Sequence, residues 1–397
     1  MMFNFLNNIV FSILKSLKIM NIGKIRKVEI WITSSTLSED GWSKVKSFLF
    51  LRTTNSDGVE GWGEAFVLPY REKGVAELIF SLVSSINEIE TLTPHSFSEK
   101  AIEICDNHYG LDFSAASSAI EMSLWDILGK VTEQSLSSLL SANSNDTVQV
   151  YVNTWSDQMP DNTALIHRVN RLISEGYKSI KIYPLQNRSP KEGYECIKKL
   201  RKNTSSNIDL MLDLAVPKNL NHSLELLELI EKNSANIYWI EEPYDGFDIT
   251  NLSNYKAKSQ IPIVTGEKQC GVTHFKEVLN RNSADILDPD IAGVGSIVEL
   301  SEIADLSDKV GVGVSPHCWN SMAIAASAMM HFCASRKNSE KAEIYPDYIS
   351  TSKNYCEPGF NIINGESKLK KLPGLGVSIN SNDLRAKSYY YNELKLN

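Results

Sequence analysis

The segments IDLMLD (208–213), NIYWIEEP (236–243) and IPIVTGE (261–267) decide the fold of this chain. Each is a short β-rich run that ends at or beside a carboxylate, and a stretch of helical periodicity follows it. Runs of the same kind continue on both sides: VQVYVNTW (148–155), KSIKIYPL (178–185), ADILDPD (284–290), VGVGVSPH (310–317) and AEIYP (342–346). Eight strands that alternate with helices over roughly 200 residues predict a closed parallel β/α barrel.

An open, doubly wound sheet is the alternative arrangement of alternating strands and helices. It is disfavoured because the first strand–helix turn lacks a G-x-G-x-x-G fingerprint and the chain contains no P-loop. We therefore assign the fold class α/β, with the barrel over residues 146–370.

The residues before the barrel show a different pattern. The runs IRKVEIWI and KSFLFLRT alternate with a period of two, and a helical pattern follows from about Lys73 to Leu140. This predicts a compact α+β unit over 22–145, with its sheet first and its helices after. The turn and short strand in PGLGVSIN are expected to bring the C-terminal segment, 371–397, back to this first unit.

The first 21 residues are expected to form an extension outside both units. They are apolar, but the charges Lys15 and Lys18 follow the apolar run instead of preceding it, and no small-residue cleavage site comes after. The run is also shorter than the ~20 residues that a spanning helix needs. We therefore predict neither a signal peptide nor an integral membrane contact.

Composition and charge limit the function classes. A content of 42% hydrophobic and 22% charged residues is typical of a soluble globular protein. The net charge is -8, with 48 acidic against 40 basic residues, so nothing electrostatic favours nucleic acid as a partner. The six cysteines form no C-x-x-C pair, which is typical of a reduced, cytoplasmic protein.

Ionisable residues follow one predicted strand after another. They are separated by 28, 26, 23 and 27 residues, each about one strand–helix unit, and they are Asp213, Glu241, Glu267, Asp290 and His317. The carboxyl ends of barrel strands form one rim, where catalytic groups from different strands meet. A single acid at a strand end is often only a helix cap or a turn former, but five in phase predict one shared site.

The first three of these carboxylates, Asp213, Glu241 and Glu267, suggest a metal site. Three adjacent carboxylates cannot all stay ionised in a dry pocket, so either one is protonated or a cation binds. Oxygen ligands on three separate strands favour a hard divalent ion, which points to Mg²⁺, with Mn²⁺ as an alternative. Zinc is disfavoured because no histidine or cysteine is among the three.

The next two residues form a candidate general base. A carboxylate such as Asp290 can accept a hydrogen bond from one imidazole nitrogen of His317 and leave the other nitrogen to take a proton. Lys181 lies inside an apolar strand, where an ammonium group needs partners, and the carboxylates across the barrel can supply them. Tyr183 is two residues further on and points to the same side.

These segments together resemble the enolase superfamily, in its mandelate racemase/muconate lactonizing branch. The resemblance runs from about residue 22 to 385, and it is carried by EGYKSIKIYPL (175–185), IDLMLD, YWIEEP, VTGEKQ, ILDPDIAGVGS (286–296), VSPHCWNSM (314–322) and SLWDILGK (123–130). It implies a modified (β/α)7β TIM-type barrel under an N-terminal α+β capping domain. It also implies Mg²⁺ on the three carboxylates and removal of the proton alpha to a substrate carboxylate, giving an enolate.

The subgroup follows from the sixth and seventh barrel strands. Muconate lactonizing and dipeptide epimerase types carry a lysine near the end of the sixth strand, whereas this chain has Asp290 there and His317 on the next strand. That is similar to the mandelate racemase subgroup, in which the Asp–His pair is the base. The resemblance further implies that Glu343 hydrogen-bonds the substrate carboxylate and that Lys181 pairs with it electrostatically.

One departure from the family pattern concerns the second base. The family's second strand usually reads K-x-K, but here it is Lys181-Ile182-Tyr183. A phenol with an ordinary pKa near ~10 is a poor base, although it can donate a proton. Racemisation by two bases is therefore disfavoured. One base, His317, suffices for β-elimination of water, with the protonated His317 or Tyr183 as the acid.

The predicted function is thus a Mg²⁺-dependent acid-sugar dehydratase, a hydro-lyase acting on a small-molecule carboxylate. The alternatives are a cycloisomerase or epimerase that uses the same enolate, and a non-catalytic binding homologue. The segments 33–42 and 67–73 match the regions that choose the substrate in this family, and their polar content suits a polyol. The resemblance also implies a homo-oligomer, from a dimer to an octamer.

Overall fold

The computed structural model describes residues 21–34, 46–155, 161–318 and 322–396. Residues 1–20 of the predicted extension, and most of the segment 33–42, lie outside these ranges. Among the described residues, the first unit contains three strands and four helices. In chain order these are β1 (Ile25–Ser34), β2 (Ser47–Asn55), β3 (Glu60–Ala65), α1 (Glu72–Ile86), α2 (Pro94–Cys105), α3 (Leu111–Val131) and α4 (Leu136–Leu140).

Helix α3 packs very closely on strand β3. A Cβ atom at Gly61 would lie 2.0 Å from the carbonyl oxygen of Ser123, and one at Gly63 would lie 2.0 Å from that of Ala119. Only glycine lets the strand approach the helix backbone this closely. Nearly every residue of α3 from Ser114 to Gly129 is buried, so the helix is enclosed on all sides.

The second unit is a closed barrel of eight parallel strands, as predicted. In order they are β4 (Thr147–Asn153), β5 (Ser179–Ile182), β6 (Asp209–Asp213), β7 (Ile240–Glu241), β8 (Ile263–Thr265), β9 (Ile286–Leu287), β10 (Gly313–Val314) and β11 (Ala342–Ile344). Neighbours pair in sequence from β4 to β10, and β11 closes the barrel by pairing with β4.

Seven helices connect these eight strands. They are α5 (Asn162–Ser174), α6 (Pro190–Asn203), α7 (Asn221–Lys232), α8 (Ile249–Lys256), α9 (Val272–Asn280), α10 (Ile297–Asp308) and α11 (Ala323–Ala334), and a short α12 (Pro346–Ser352) follows the last strand. The fold is therefore a (β/α)7β barrel with an α+β unit in front of it. Most barrel strands read as continuous buried runs, as expected for a sheet covered by helices.

The chain after α12, which includes the predicted C-terminal segment 371–397, contacts both units. Its elements are β12 (Cys356–Glu357), β13 (Phe360–Ile363), β14 (Glu366–Leu369), β15 (Ser378–Ile379), α13 (Ser381–Lys387) and β16 (Ser388–Lys395). Strand β14 pairs with β4 of the barrel, whereas β16 pairs antiparallel with β1 and becomes the edge of the first sheet. The short strand expected in PGLGVSIN is β15, but it pairs with β12 and not with the first sheet.

The turn of PGLGVSIN does reach the first unit, at helix α3. A Cβ atom at Gly129 would lie 2.5 Å from Cα of Gly374, so both positions require glycine for this contact. The N–H of Leu375 donates to Oδ1 of Asp126 at 2.9 Å. No helix within the described ranges combines the length and the apolar character needed to cross a bilayer.

Candidate active site

The predicted site residues lie together at the carboxyl end of the barrel. Asp213 and Glu241 are paired in register as the last residues of β6 and β7. Glu267 comes two residues after β8. Asp290 and His317 extend β9 and β10 and form an isolated parallel bridge with each other. These side chains come together because each one follows a buried strand, and neighbouring strands of the barrel end at the same rim.

Asp213, Glu241 and Glu267 could hold a metal ion. Each offers a carboxylate oxygen, and these three oxygens all lie within 4.8 Å of one another. Burial raises the pKa of Asp213, and the nearby charge of Glu267 adds to that rise. Oε2 of Glu241 is buried without a hydrogen-bond partner in the described part of the chain. A buried, unpaired carboxylate oxygen facing two more carboxylates fits a hard divalent cation.

Lys181 is completely buried beside the three carboxylates. Its Nζ atom lies 2.5 Å from Oε1 of Glu241, 2.8 Å from Oε1 of Glu343 and 3.6 Å from Oδ2 of Asp213. Burial alone would lower the pKa of the ammonium, but Glu241 and Glu343 outweigh it and hold that pKa above its ordinary value. Lys181 is therefore a fixed positive charge at the floor of the site.

Asp290 and His317 form the hydrogen-bonded pair that the sequence predicts. Nδ1 of His317 lies 2.7 Å from Oδ2 of Asp290, and Oδ1 of Asp290 accepts from the N–H of Ala292 at 2.8 Å. This leaves Nε2 facing the site, 3.2 Å from Oε2 of Glu267. Burial lowers the pKa of His317, but the carboxylates of Glu343, Glu267 and Asp290 raise it to about 10.

Glu343, on β11, accepts hydrogen bonds from several donors. Besides Lys181, its carboxylate accepts from the N–H of Cys318 and from Nδ2 of Asn153, each at 2.8 Å. Although burial raises the pKa of Glu343, the charges of Lys181 and His317 lower it to about 2. Glu343 is therefore ionised and links the strands that carry Lys181 and His317.

Tyr183 lies beyond β5, on the same side as Lys181, and its hydroxyl donates to Oδ1 of Asn153 at 3.1 Å. Burial holds the pKa of this phenol well above its ordinary value. The group is thus a neutral phenol that keeps its proton. A raised pKa makes Tyr183 a still poorer base than an ordinary phenol.

Sequence reasoning missed Asn153, Glu242 and Lys268. Asn153 ends β4, so the rule that selected the other strand-end polar residues would have found it. Glu242 and Lys268 directly follow two predicted metal ligands, and Nζ of Lys268 lies 2.9 Å from Oε2 of Glu242 and 3.4 Å from Oε1 of Glu267. Their adjacency to Glu241 and Glu267 was the available signal.

A cavity opens beside the rim, between the loops that follow β5 and β6. Its volume is about 520 Å³, and its lining includes Tyr183, Asp213, Trp155, Arg188, Lys218 and His222. The segment 67–73 lies elsewhere, next to the loop that follows Asp290, since the N–H of Phe66 donates to the carbonyl of Ala292 at 2.9 Å. The site thus has a cavity on one flank and the first unit on another.

The class of protein follows from this arrangement, and comparison with known families agrees with it. Residues 164–384 match the family model described as enolase C-terminal domain-like. Residues 35–141 match the mandelate racemase/muconate lactonizing enzyme N-terminal domain. The chain belongs to the mandelate racemase/muconate lactonizing enzyme family of the enolase superfamily.

Individual relatives cover almost the whole chain. A crystal structure described as an enolase from the environmental genome shotgun sequencing of the Sargasso Sea is 43% identical. It covers 95% of this chain and 100% of its own, with a TM-score of 0.92. The D-gluconate/D-galactonate dehydratase of Picrophilus torridus is 24% identical, over 89% of this chain and 91% of its own length. The D-galactarolactone cycloisomerase of Agrobacterium fabrum is 25% identical, over 83% and 88%.

Proposed function

We propose that this protein is a Mg²⁺-dependent acid-sugar dehydratase with His317 as its general base. The observation that carries the proposal is the geometry of the rim. The free nitrogen of a carboxylate-bound histidine faces the candidate metal ligands, and a neutral phenol occupies the place of a second base. Relatives named as dehydratases of D-gluconate and D-galactonate support the substrate class.

The proposed chemistry is removal of water from neighbouring carbons. Nε2 of His317 takes the proton alpha to the carboxylate, and the electron pair left on carbon forms the enolate. The enolate then expels the β-hydroxyl, the imidazolium returns its proton to the leaving oxygen, and the resulting enol becomes a 2-keto-3-deoxy acid. Asp290 holds Nδ1 throughout, which keeps Nε2 free for both transfers.

Asp213, Glu241 and Glu267 would hold the Mg²⁺ ion. When bound, this cation would offset their negative charge, lower the pKa of His317 towards neutrality and favour negative charge on the substrate carboxylate. Lys181 adds a second positive charge beside these carboxylates, where Glu241 and Glu343 keep it protonated. Both charges would stabilise the developing enolate.

A cycloisomerase is the second candidate, because the relative from Agrobacterium fabrum carries that name. It would use the same proton abstraction by His317 but open a lactone ring instead of releasing water. The two candidates give different products from the same enolate, so product analysis separates them.

The test is a screen of mono- and diacid sugars, including D-gluconate and D-galactonate, with Mg²⁺ present. We expect the wild-type enzyme to form a 2-keto-3-deoxy acid, and His317→Asn to reduce turnover by a factor of about 10² to 10⁴. His167→Asn, at an exposed position of α5, is the control that should keep full activity.

The other outcomes of the screen are equally informative. Exchange of the α-proton with solvent deuterium, without a keto acid, would replace the dehydratase by a cycloisomerase or epimerase. Absence of both exchange and product with every acid sugar would favour a non-catalytic homologue.

We further propose that the enzyme works in the cytoplasm and without nucleic-acid partners. All six cysteines are free, which suits a reducing compartment. The homo-oligomeric state stays a prediction from the family, and sedimentation analysis would test it.

A further inference from the structure

Asn153 lies at the junction of three strands that carry site residues. It ends β4, pairs in register with Lys181 on β5, and is completely buried. On the other side of β4 runs β11, which carries Glu343. No chemistry proposed above uses Asn153, yet its side chain contacts two of the site's polar groups.

The hydrogen bonds of Asn153 allow only one orientation of its amide. Oδ1 lies 2.7 Å from the backbone nitrogen of Trp155, which can only donate. Nδ2 lies 2.8 Å from Oε1 of Glu343, an ionised carboxylate that can only accept. Rotating the amide by 180° would place two donors together at one end and two acceptors together at the other.

This orientation determines the direction of the Tyr183 proton. The hydroxyl of Tyr183 lies 3.1 Å from Oδ1 of Asn153, and an amide oxygen has no hydrogen to give. Tyr183 must therefore donate in this hydrogen bond. Its proton points back towards β4, and the lone pairs of its oxygen stay available to another donor.

We propose that Asn153 is a positioning residue that turns the Tyr183 proton away from the reaction centre. Tyr183 then accepts a hydrogen bond from a substrate hydroxyl and does not act as the acid for the leaving group. This inference rests on the proposed dehydratase function and deepens it. His317 becomes both the base that removes the α-proton and the acid that returns it to the departing hydroxyl as water.

The kinetic test compares Tyr183→Phe on a sugar acid found by the screen and on its analogue with fluoride in place of the leaving hydroxyl. Loss of one hydrogen bond should raise KM about two- to tenfold, and turnover should fall by less than about tenfold on either compound. A turnover loss of about a hundredfold or more on the hydroxy acid, absent with fluoride, would show that Tyr183 is the acid and would overturn the inference. Tyr194→Phe, half-buried on α6, is the control.

The Asn153→Leu variant tests whether Asn153 acts by positioning Tyr183 or only supports the local structure. If Asn153 acts through Tyr183, the double variant with Tyr183→Phe should have nearly the same KM as Asn153→Leu alone. Independent, multiplicative increases in KM would contradict the proposal.

A measurement without substrate keeps the inference testable on its own. Neutron diffraction from the deuterium-exchanged, Mg²⁺-loaded wild-type enzyme should place the Tyr183 deuterium on the line to Oδ1 of Asn153. A deuterium directed elsewhere, or an inverted Asn153 amide, would overturn the inference. A screen that yields no dehydration would instead contradict only the proposed function.

Discussion

Two sets of mostly buried carboxylates have opposite surroundings in this protein. The rim set, Asp213, Glu241 and Glu267, consists of acids that face one another. The interface set consists of Glu64 on β3 and Glu121 on α3, which reach from the first unit to the barrel. Glu64 accepts from the N–H groups of Met322 and Ala325 at the start of α11, at 2.5 and 2.9 Å.

Glu121 makes the equivalent contact with another barrel helix. Its carboxylate accepts from the N–H groups of Ile297 and Val298 at the start of α10, at 2.9 and 3.2 Å, and from Nε1 of Trp125 at 2.7 Å. The N–H groups of Ile297 and Val298 are backbone donors that the first turn of a helix leaves unpaired. Both acids of the interface set thus attach the first unit to the barrel through helix N-termini.

The contrast between the rim set and the interface set shows that burial of an acidic side chain does not by itself indicate a function. Burial raises the pKa of Glu64 to about 7 and that of Glu121 to about 8, as it raises the pKa of Asp213 in the rim set. The interface set is satisfied by donors that belong to the fold. The rim set repels itself and leaves an oxygen of Glu241 unpartnered among the described residues, so it favours an added cation.

The largest expected effect comes from Asp213→Asn. We expect activity to fall by about 10³ or more, because a bound cation supplies several kcal/mol of transition-state stabilisation. Without Mg²⁺, the free energy of unfolding should stay the same or rise, since the substitution removes a charge from a self-repelling cluster. Keto-acid formation and urea unfolding, each with and without Mg²⁺, measure the two effects.

Asp209→Asn is the matched control, because Asp209 begins the same strand at the opposite end of the barrel and pairs with Lys341. It should keep Mg²⁺-dependent activity. If Asp213→Asn markedly lowered the free energy of unfolding without Mg²⁺, the rim set would stabilise the fold as the interface set does, and the two sets would not differ.

A smaller effect is expected from Glu64→Gln in the interface set. The amide can accept from only one of the two helix N–H groups, which leaves a buried donor unpaired. We expect the free energy of unfolding to fall by about 1–3 kcal/mol. Glu60→Gln, on the same strand but half-exposed and paired with Arg52, should change it by less than about 0.5 kcal/mol. Equal effects in urea unfolding would contradict the assigned role.

The smallest effect is the pH dependence of Glu121. Its pKa in the folded protein, about 8, is above the ordinary 4.5, so the folded state holds a proton that the unfolded chain has lost. Between these two values the contribution of Glu121 to stability therefore grows as the pH falls. Wild type should gain about 1 kcal/mol over Glu121→Gln between pH 8.5 and 7. The opposite slope would show that Glu121 remains ionised.

Much of the fold was predictable from the sequence, because each strand–helix unit is formed by residues that are close together in the sequence. Short β-rich runs that alternate with helical patterns identified the eight barrel strands, and the ends of those strands indicated Asp213, Glu241 and Glu267. The first sheet was predictable only in part. Strand β16 was missed, since its partner β1 lies at the other end of the chain and no local pattern connects them.

The structural roles of polar groups whose partners lie far away in the sequence could not be predicted. Glu64 binds an N–H group 258 residues away, and Glu121 binds one 176 residues away. In the sequence, Glu64 is only a strand-end acid like those of the rim set. The packing of the first unit against the barrel alone decides its hydrogen-bond partners.

The sequence by itself determined the alternation of strands and helices and the residue types at the rim, because both follow from patterns that recur over short stretches of the chain. The tertiary structure alone decided which buried acids face a helix N-terminus and which face each other. It also decided that the Tyr183 proton points to Asn153. Hydrogen-bond direction depends on the complete set of neighbouring donors and acceptors, and folding brings these together from strands far apart in the chain.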